Sequence, residues 1–376
     1  MTRTRVDLPL LIAVLFLIAL GVVMVYSSSW AVAADRFDDG LYYLKRQAMY
    51  AGLGVLALVT GAAVDPARWA RLSYPMLLGC FVLLLVVLIP GVGAAAGIAR
   101  RWIAIGPFTL QAGEPLKFAL VVYLAMSLAK KGERMRSFAV GIVPHLILPG
   151  AAVLLLLAEP DFGTALMLVT ITFLMLFVGG ARVAYLAGGA IAVVPIALYL
   201  VMSSPYRMRR LVAFLDPWAH RYDVGYQITE SLMTLGSGGL FGLGIGDGRQ
   251  KLFFLPAGHT DFILANIGEE LGFVGVLGVA VAFAIILARG ARAAFGHQDA
   301  FRAYLAFGVT ALLVVQAAFN VAVVLGLVPT KGLTLPFLSY GGSSLITSAF
   351  LAGVLLRLSG DVEEELGSAE PQGVAA

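Results

Sequence analysis

Apolar residues gather into stretches of bilayer-spanning length at 8–29, 44–64, 72–90, 114–130, 138–158, 163–180, 182–203, 261–289, 300–326 and 341–358. An α-helix rises about 1.5 Å per residue, so about 20 apolar residues cross a hydrocarbon core of about 30 Å. Polar or Gly/Pro-marked breaks such as Glu159-Pro160-Asp161 and Gly179-Gly180 separate neighbouring stretches. The pattern predicts an all-α integral membrane protein with about ten transmembrane helices. Residues 1–360 then form a single polytopic domain, and 361–376, which carry Glu363-Glu364-Glu365, a flexible cytoplasmic tail. Arg3 and Arg5 precede an apolar run from Leu8 to Tyr26, and Ala31-Val32-Ala33 resembles a signal-peptidase site. The run is longer than the roughly 7–15 residues of a signal-peptide core, so it is expected to stay as the first helix.

Composition supports lipid as the solvent. Hydrophobic residues make up 60% of the chain and charged ones 13%, against about 45–50% and about 25% in a soluble domain. The formal charge of +4 does not imply nucleic acid, because the basic residues are scattered through short inter-helical segments. In this setting they set orientation and hold anionic headgroups. Cys80 is the only cysteine, which rules out an internal disulfide, and with four scattered histidines it makes a zinc site improbable.

An even number of crossings puts both termini on one side. Arg3 and Arg5, Arg68 and Arg71, the run Lys130 to Arg136, Arg182, and Arg289 to Arg302 share that side. The positive-inside rule makes it the cytoplasm. Two segments on the opposite side look unlike connectors. Residues 91–113 alternate glycines with Arg100-Arg101-Trp102, and 204–260, between helices 7 and 8, is a long extracytoplasmic loop rich in aromatics, glycines and leucines. Loops of that length are functional or disordered, and this composition argues against disorder.

Ionisable residues at membrane helices are functional candidates. Glu114 and Lys117 stand three apart on one helix face, as a structural ion pair or as part of a site. Asp161 suits an N-cap, and a helix N-terminus also binds anions. Asp261, beside His259 and Thr260 where the long loop enters helix 8, is read equally as an N-cap or a general base. Glu269 and Glu270 follow about two turns deeper. Arg207, Arg209, Arg210, Arg221, Arg249 and Lys251, with Arg100, Arg101 and Lys331, are suited to phosphate oxygens or to lipid heads. The glycines from 236 to 248 are no Walker loop, since no Gly-Lys-Ser/Thr follows.

These blocks resemble the SEDS family, the RodA/FtsW/SpoVE glycosyltransferases of bacteria. The matching residues are Arg100-Arg101-Trp102, Gln111 through Lys117, Glu159-Pro160-Asp161-Phe162-Gly163-Thr164, Phe214-Leu215-Asp216-Pro217-Trp218, and Gly225-Tyr226-Gln227. Gln250 through Pro256, His259-Thr260-Asp261-Phe262, Pro329-Thr330-Lys331-Gly332, Leu335-Pro336-Phe337 and Ser339 through Ser344 complete the set, in the family's order along essentially the whole chain. The Asp-Pro-Trp and Pro-Thr-Lys-Gly blocks look like the division and sporulation branch, closest to FtsW. Gln111-Ala112-Gly113-Glu114 departs from the family's Gln-Pro-Ser-Glu, and Leu264 stands where phenylalanine is common.

The resemblance implies a fold akin to multi-spanning lipid-linked glycosyltransferases. It also implies polymerisation of lipid II on the outer face of the cytoplasmic membrane, with release of undecaprenyl diphosphate, during division or elongation. Implied partners are a class B penicillin-binding transpeptidase, other divisome or elongasome proteins and membrane lipids, with no nucleic acid. The catalytic aspartate would be Asp261. Substrate contacts are expected from Glu114, Lys117, Arg101, Gln111, Asp161, Thr164, Arg207, Arg210, Gln227, His259, Thr260, Lys331, Ser339 and Ser343. No cofactor is certain; a divalent cation, Mg2+ or Mn2+, could share the diphosphate charge, though no ligand spacing identifies a metal site. A lipid flippase, with paired broken helices and charges near mid-membrane, and a non-catalytic scaffold recruiting a transpeptidase remain as rivals.

Overall fold

The computed structural model describes residues 6–91, 93–96, 99–106, 108–248, 258–330 and 332–369. Arg3, Arg5, Arg249, Lys331 and the block Gln250 through Pro256 fall outside them, as does the end of the tail. Three helices come first: α1 (Leu8–Phe37), α2 (Tyr42–Ala63) and α3 (Pro66–Leu88). A small antiparallel sheet follows, β1 (Gly93–Ala96), β2 (Ala99–Ile105) and β3 (Phe108–Gln111), in the order β1-β2-β3. The rest is helical: α4 (Gly113–Lys131), α5 (Val143–Ala158), α6 (Phe162–Val178), α7 (Val183–Met202), α8 (Pro205–Leu215), α9 (Tyr226–Ser237), α10 (Ile263–Gly296), α11 (Ala300–Val324) and α12 (Gly342–Ala369).

Each predicted apolar stretch corresponds to one helix, which bears out the helical membrane fold. Among the described residues, seven helical segments are long and apolar enough to cross a bilayer by length and composition. Of the others, α6 has 17 residues, and α2 and α4 reach 22 and 19 but carry charged or polar residues near their first turns. The expected number of crossings is thus above what apolarity alone supports. Two expectations are refined. Residues 91–113 hold the three-stranded sheet, and the long segment 204–260 contains two helices, α8 and α9.

Aspartates start several helices by accepting backbone N–H groups that lack intrahelical partners. Asp7 caps α1 through Leu10 N at 3.2 Å, Asp65 caps α3 through Ala67 N at 2.9 Å, and Asp299 caps α11 through Phe301 N at 2.7 Å. The centre of the bundle is α4, in which every residue from Leu116 to Leu128 is buried. Such all-round burial marks an interior helix. At the other extreme, none of the most apolar window of α7 is buried, so this helix faces lipid.

One feature of α10 breaks the helical rule. Gly272, ten residues into it, has φ 68° and ψ −165°. Non-helical backbone at membrane depth survives only where protein satisfies its polar groups. The glycine-rich turn after α9 does so: Phe273 N donates to Gly239 O at 2.9 Å and Val274 N to Leu240 O at 3.1 Å. Leu243 N and Gly244 N return the bonds to Glu269 O and Glu270 O at 2.9 and 3.0 Å. Glu270 is held further, accepting from Ser27 Oγ of α1 at 2.6 and 2.7 Å and from Gly246 N at 3.0 Å.

This interlock requires glycine at the break. A methyl on Gly272 would lie 2.3 Å from Gly242 N and 2.5 Å from Leu240 O, besides the left-handed φ. Gly272→Ala is expected to lower the thermal midpoint in detergent, with backbone strain alone costing about 1–3 kcal/mol. Gly236→Ala, whose added methyl meets nothing within 4 Å, is expected to leave the midpoint in place. Equal midpoints for the two variants would show that the turn does not rest on α10.

Candidate functional site

The site is built where β2, β3 and the starts of α4, α6, α10 and α12 converge. Asp161 caps α6, accepting from Thr164 N at 3.2 Å and from Thr164 Oγ1 at 2.9 Å. Its second role comes from the sheet: Gln111 Nε2 donates to Oδ2 at 2.9 Å, and Arg101 Nη1 lies 3.4 Å from Oδ1. The sheet is in turn tied to α12. Ser343 Oγ donates to Thr109 O at 2.6 Å and accepts from Gln111 N at 3.1 Å.

Asp261 faces the other side of the same arginine. A methyl added to Gly332 would lie 3.5 Å from Asp261 Oδ2 and 3.7 Å from Arg101 Nη2, so these two groups flank that glycine. The N-cap reading of Asp261 does not hold, because the cap of α10 is Phe262, with no side-chain cap bond. Asn320 of α11 fixes the turn instead, its amide donating at 2.8 Å to both Asp261 O and Leu333 O. The carboxylate is left for other work. Burial pushes it up from 3.8 to about 6, opposed by the positive charges of Arg101 and Arg210. Arg210 donates to Thr330 O at 2.9 Å, which holds it beside this turn.

Below the mouth, Glu114 and Lys117 form the expected ion pair, Nζ lying 2.9 and 3.0 Å from the two carboxylate oxygens. Lys117 also donates to Gln316 Oε1 at 2.7 Å, and Gln316 Nε2 to Thr334 O at 3.0 Å. Thr334 Oγ1 meets Ser344 Oγ at 2.7 Å. A hydrogen-bonded chain therefore links the buried pair on α4 to α11 and α12. Removing one partner of such a pair leaves a buried charge uncompensated.

Other expected residues are placed differently. Arg207 is committed to the end of α7, donating to Leu200 O at 2.7 Å, with its guanidinium 5.7 Å from the Phe162 ring centre. Arg209 pairs with Asp223 at 2.7 Å, both exposed. Ser339 is buried and accepts from Leu335 N at 2.8 Å, the work of a turn residue. Gln227 is half-buried in the first turn of α9, and no contact among the described residues joins it to the Asp261 group. His259 packs between the rings of Tyr43 and Tyr340, with Thr260 and Asp261 following it in the same turn. Lys331 lies outside the described residues, and so does the side chain of Arg100.

Sequence reasoning missed Gln316 and Asn320. They stand four apart on α11, polar residues on one face of an apolar helix, which was a readable signal. It also gave Glu159 no role. This residue ends α5 with 1% of its surface exposed, and both carboxyl oxygens lack a partner. Burial, and then the charge of Asp161, push it up to about 8 against the pull of Arg101. Among the described residues no group of three or more His, Cys, Asp or Glu is placed to hold a metal ion. The oxygens of Asp161 are already engaged by protein donors.

A multi-spanning helical membrane protein with one half-buried carboxylate under two guanidinium groups at a membrane mouth is the class that fold and site define. A sequence model of the FtsW/RodA/SpoVE cell cycle proteins matches residues 8–364, and the chain belongs to that family. It is 46% identical over 355 residues to a probable peptidoglycan glycosyltransferase FtsW of Geobacter metallireducens, covering 94% of this chain and 95% of the relative. Stage V sporulation protein E of Bacillus subtilis is 42% identical over 357 residues, 95% and 98% of the two chains. Among solved structures, a chain of a peptidoglycan synthase complex that coordinates polymerization and crosslinking superposes with a TM-score of 0.77 at 29% identity, covering 95% and 98%. The rod shape determining protein RodA of Thermus thermophilus gives 0.71 at 29%, covering 96% and 99%.

Glu159 makes a pH test possible. Its carboxyl binds a proton more tightly folded than unfolded, so stability is lost as pH rises between about 4.5 and about 8. Glu159→Gln lacks that loss. The thermal midpoint of the parent protein should fall relative to that of the variant from pH 5 to pH 9. Parallel curves would show that Glu159 is not held neutral.

Proposed function

We propose that this chain polymerises lipid II into glycan strands at the outer face of the cytoplasmic membrane, with Asp261 as general base. The observation that carries the reading is the Asp261 carboxylate beside Arg101 and Arg210, in a chain 46% identical to a probable peptidoglycan glycosyltransferase. The excess of Lys and Arg in the short loops on the termini's side supports cytoplasmic termini and an outward-facing site.

The acceptor sugar's 4-hydroxyl gives its proton to Asp261 while its oxygen attacks the anomeric carbon of the lipid-linked donor. The bond from that carbon to the diphosphate breaks, and undecaprenyl diphosphate leaves with the electron pair. The charge that develops on it needs preorganised cations. Arg101 and Arg210 are the cations whose charge bears on Asp261, with Lys117 supporting the deeper side. A divalent cation arriving with the diphosphate would add positive charge, and no step here depends on it. Gln111, Thr164 and Ser343 position this mouth through Asp161 and the sheet. A peptide-crosslinking partner, a class B penicillin-binding transpeptidase, is proposed because a structurally similar chain belongs to a synthase complex.

Labelled lipid II given to the purified protein, with and without a co-purified transpeptidase, tests the reading. Asp261→Asn is expected to cut glycan synthesis by about 10²–10⁴-fold, the usual worth of general base catalysis. In the parent protein kcat/KM should rise with pH through an acid limb near 6, because the base must be ionised. Normal synthesis by Asp261→Asn would remove the proposed base.

A further inference from the structure

Helix α8 turns its arginines inward and its apolar side chains outward. Only Ser203 and Ser204 separate its first residue, Pro205, from Met202, the last of α7. A proline there gives no N–H to α7 and suits the first position of the next helix. Arg207 holds the bend, donating to Leu200 O at 2.7 Å, one of the last carbonyls of α7. One turn on, Arg210 is half-buried and donates to Thr330 O at 2.9 Å, and Ala213 beyond it is buried. On another face Met208, Val212 and Leu215 follow at i, i+4 and i+7, the spacing of one helical stripe. All three are exposed, Leu215 by 73%, and Trp218, just past the helix, is exposed by 54%.

We propose that α8 is an interfacial helix, which lays this apolar stripe into the lipid surface and thereby holds Arg210 beside the Asp261 turn. The lipid contact stands by itself, and its consequence for the reaction rests on the polymerase reading. An amphipathic helix lies in the plane of the interface with its apolar face about 5–10 Å into the boundary between headgroups and acyl chains. Trp218 suits the headgroup level, where an indole keeps its apolar body and its N–H both satisfied. Lipid is the occupant because of where α8 begins. Helix α7 faces lipid along its apolar window, Met202 at its end is exposed, and α8 starts two residues later.

The three arginines of α8 do not drive this contact. Arg207 and Arg210 donate to backbone carbonyls, and Arg209 pairs with Asp223 at 2.7 Å. Apolar area therefore makes the attachment, and anionic headgroups are not required for it. The competing occupant is a partner protein seated on the same stripe. That explanation leaves Met208, Val212 and Leu215 in water whenever the chain stands alone in a bilayer.

The test uses the full chain in phosphatidylcholine nanodiscs. Val212→Cys, Leu215→Cys and Arg209→Cys, each with Cys80→Ala, carry a nitroxide label. At 212 and 215, collisions with oxygen should exceed those with a water-soluble nickel chelate, and at 209 the order should reverse. Adding phosphatidylglycerol should leave these ratios in place. With the rest of the chain unmodified, Leu215→Glu should lower kcat for glycan synthesis from lipid II by about tenfold or more, as Arg210 loses its place. Leu215→Phe, which keeps the apolar contact, should retain kcat. Nickel chelate reaching 212 and 215 as freely as 209 overturns the lipid contact. Shielding of those positions only when a transpeptidase shares the disc assigns the stripe to a protein partner instead. Equal kcat for Leu215→Glu and the parent overturns the hold on Arg210. The collision ratios need no catalysis, so they decide the lipid contact even if Asp261→Asn still makes glycan and the base assignment fails.

Discussion

Arg101 is the group on which the mouth of the site depends. Carried on β2, it pairs with Asp161 before α6 and lends its charge to Asp261 before α10. A guanidinium presents its donors in a fixed planar fork, which a lysine in the same place would not reproduce. Its position follows from the sheet, and the sheet's from Ser343 of α12, which bonds both to Thr109 and to Gln111. A small antiparallel sheet in an otherwise helical membrane protein thus brings one cation over the ends of helices distant in sequence.

The scarcity of water below that mouth explains the rest of the polar pattern. A buried polar group there gains most from a partner within the protein. Lys117 finds Glu114 and Gln316, Glu270 finds Ser27 and Gly246, and Asn320 spends its amide on two backbone carbonyls. The turn 238–248 obeys the same rule in reverse, supplying backbone partners to the break at Gly272. Gly238 is needed for that approach, since an added methyl would lie 1.8 Å from Gly268 O.

Much of this was legible in the amino-acid sequence, for physical reasons. Apolar runs of spanning length locate the helices because the bilayer fixes their length. The caps at Asp161 and the pair Glu114–Lys117 follow from local spacing, and the observed distances agree with both. What escaped were features made by tertiary contact. Nothing local reveals that Arg207 bonds Leu200, that Ser339 serves its own turn, or that Asn320 of α11 holds the backbone carbonyl of Asp261. The strand at 93–96, Gly-Ala-Ala-Ala, was hidden by residues of weak β propensity. Gln316 and Asn320 were visible as a polar face of α11, but their use became clear only once α4 and the Asp261 turn were placed against them.

The two carboxyls with raised proton affinity, Asp261 and Glu159, take different roles because of their neighbours. Both are raised first by burial. Asp261 has two guanidinium groups opposing that effect and comes to rest near 6, so at neutral pH it is mostly ionised and able to take a proton. Glu159 has Arg101 on one side and the negative Asp161 two residues away, and rests near 8, mostly protonated. Were Glu159 ionised as well, a third carboxylate would draw on Arg101, and less of its positive charge would be left for an anion. Held neutral, Glu159 leaves Arg101 to Asp161 and Asp261. In the proposed reaction, a proton taken up by Asp261 would leave more positive charge at the mouth as negative charge develops on the leaving diphosphate.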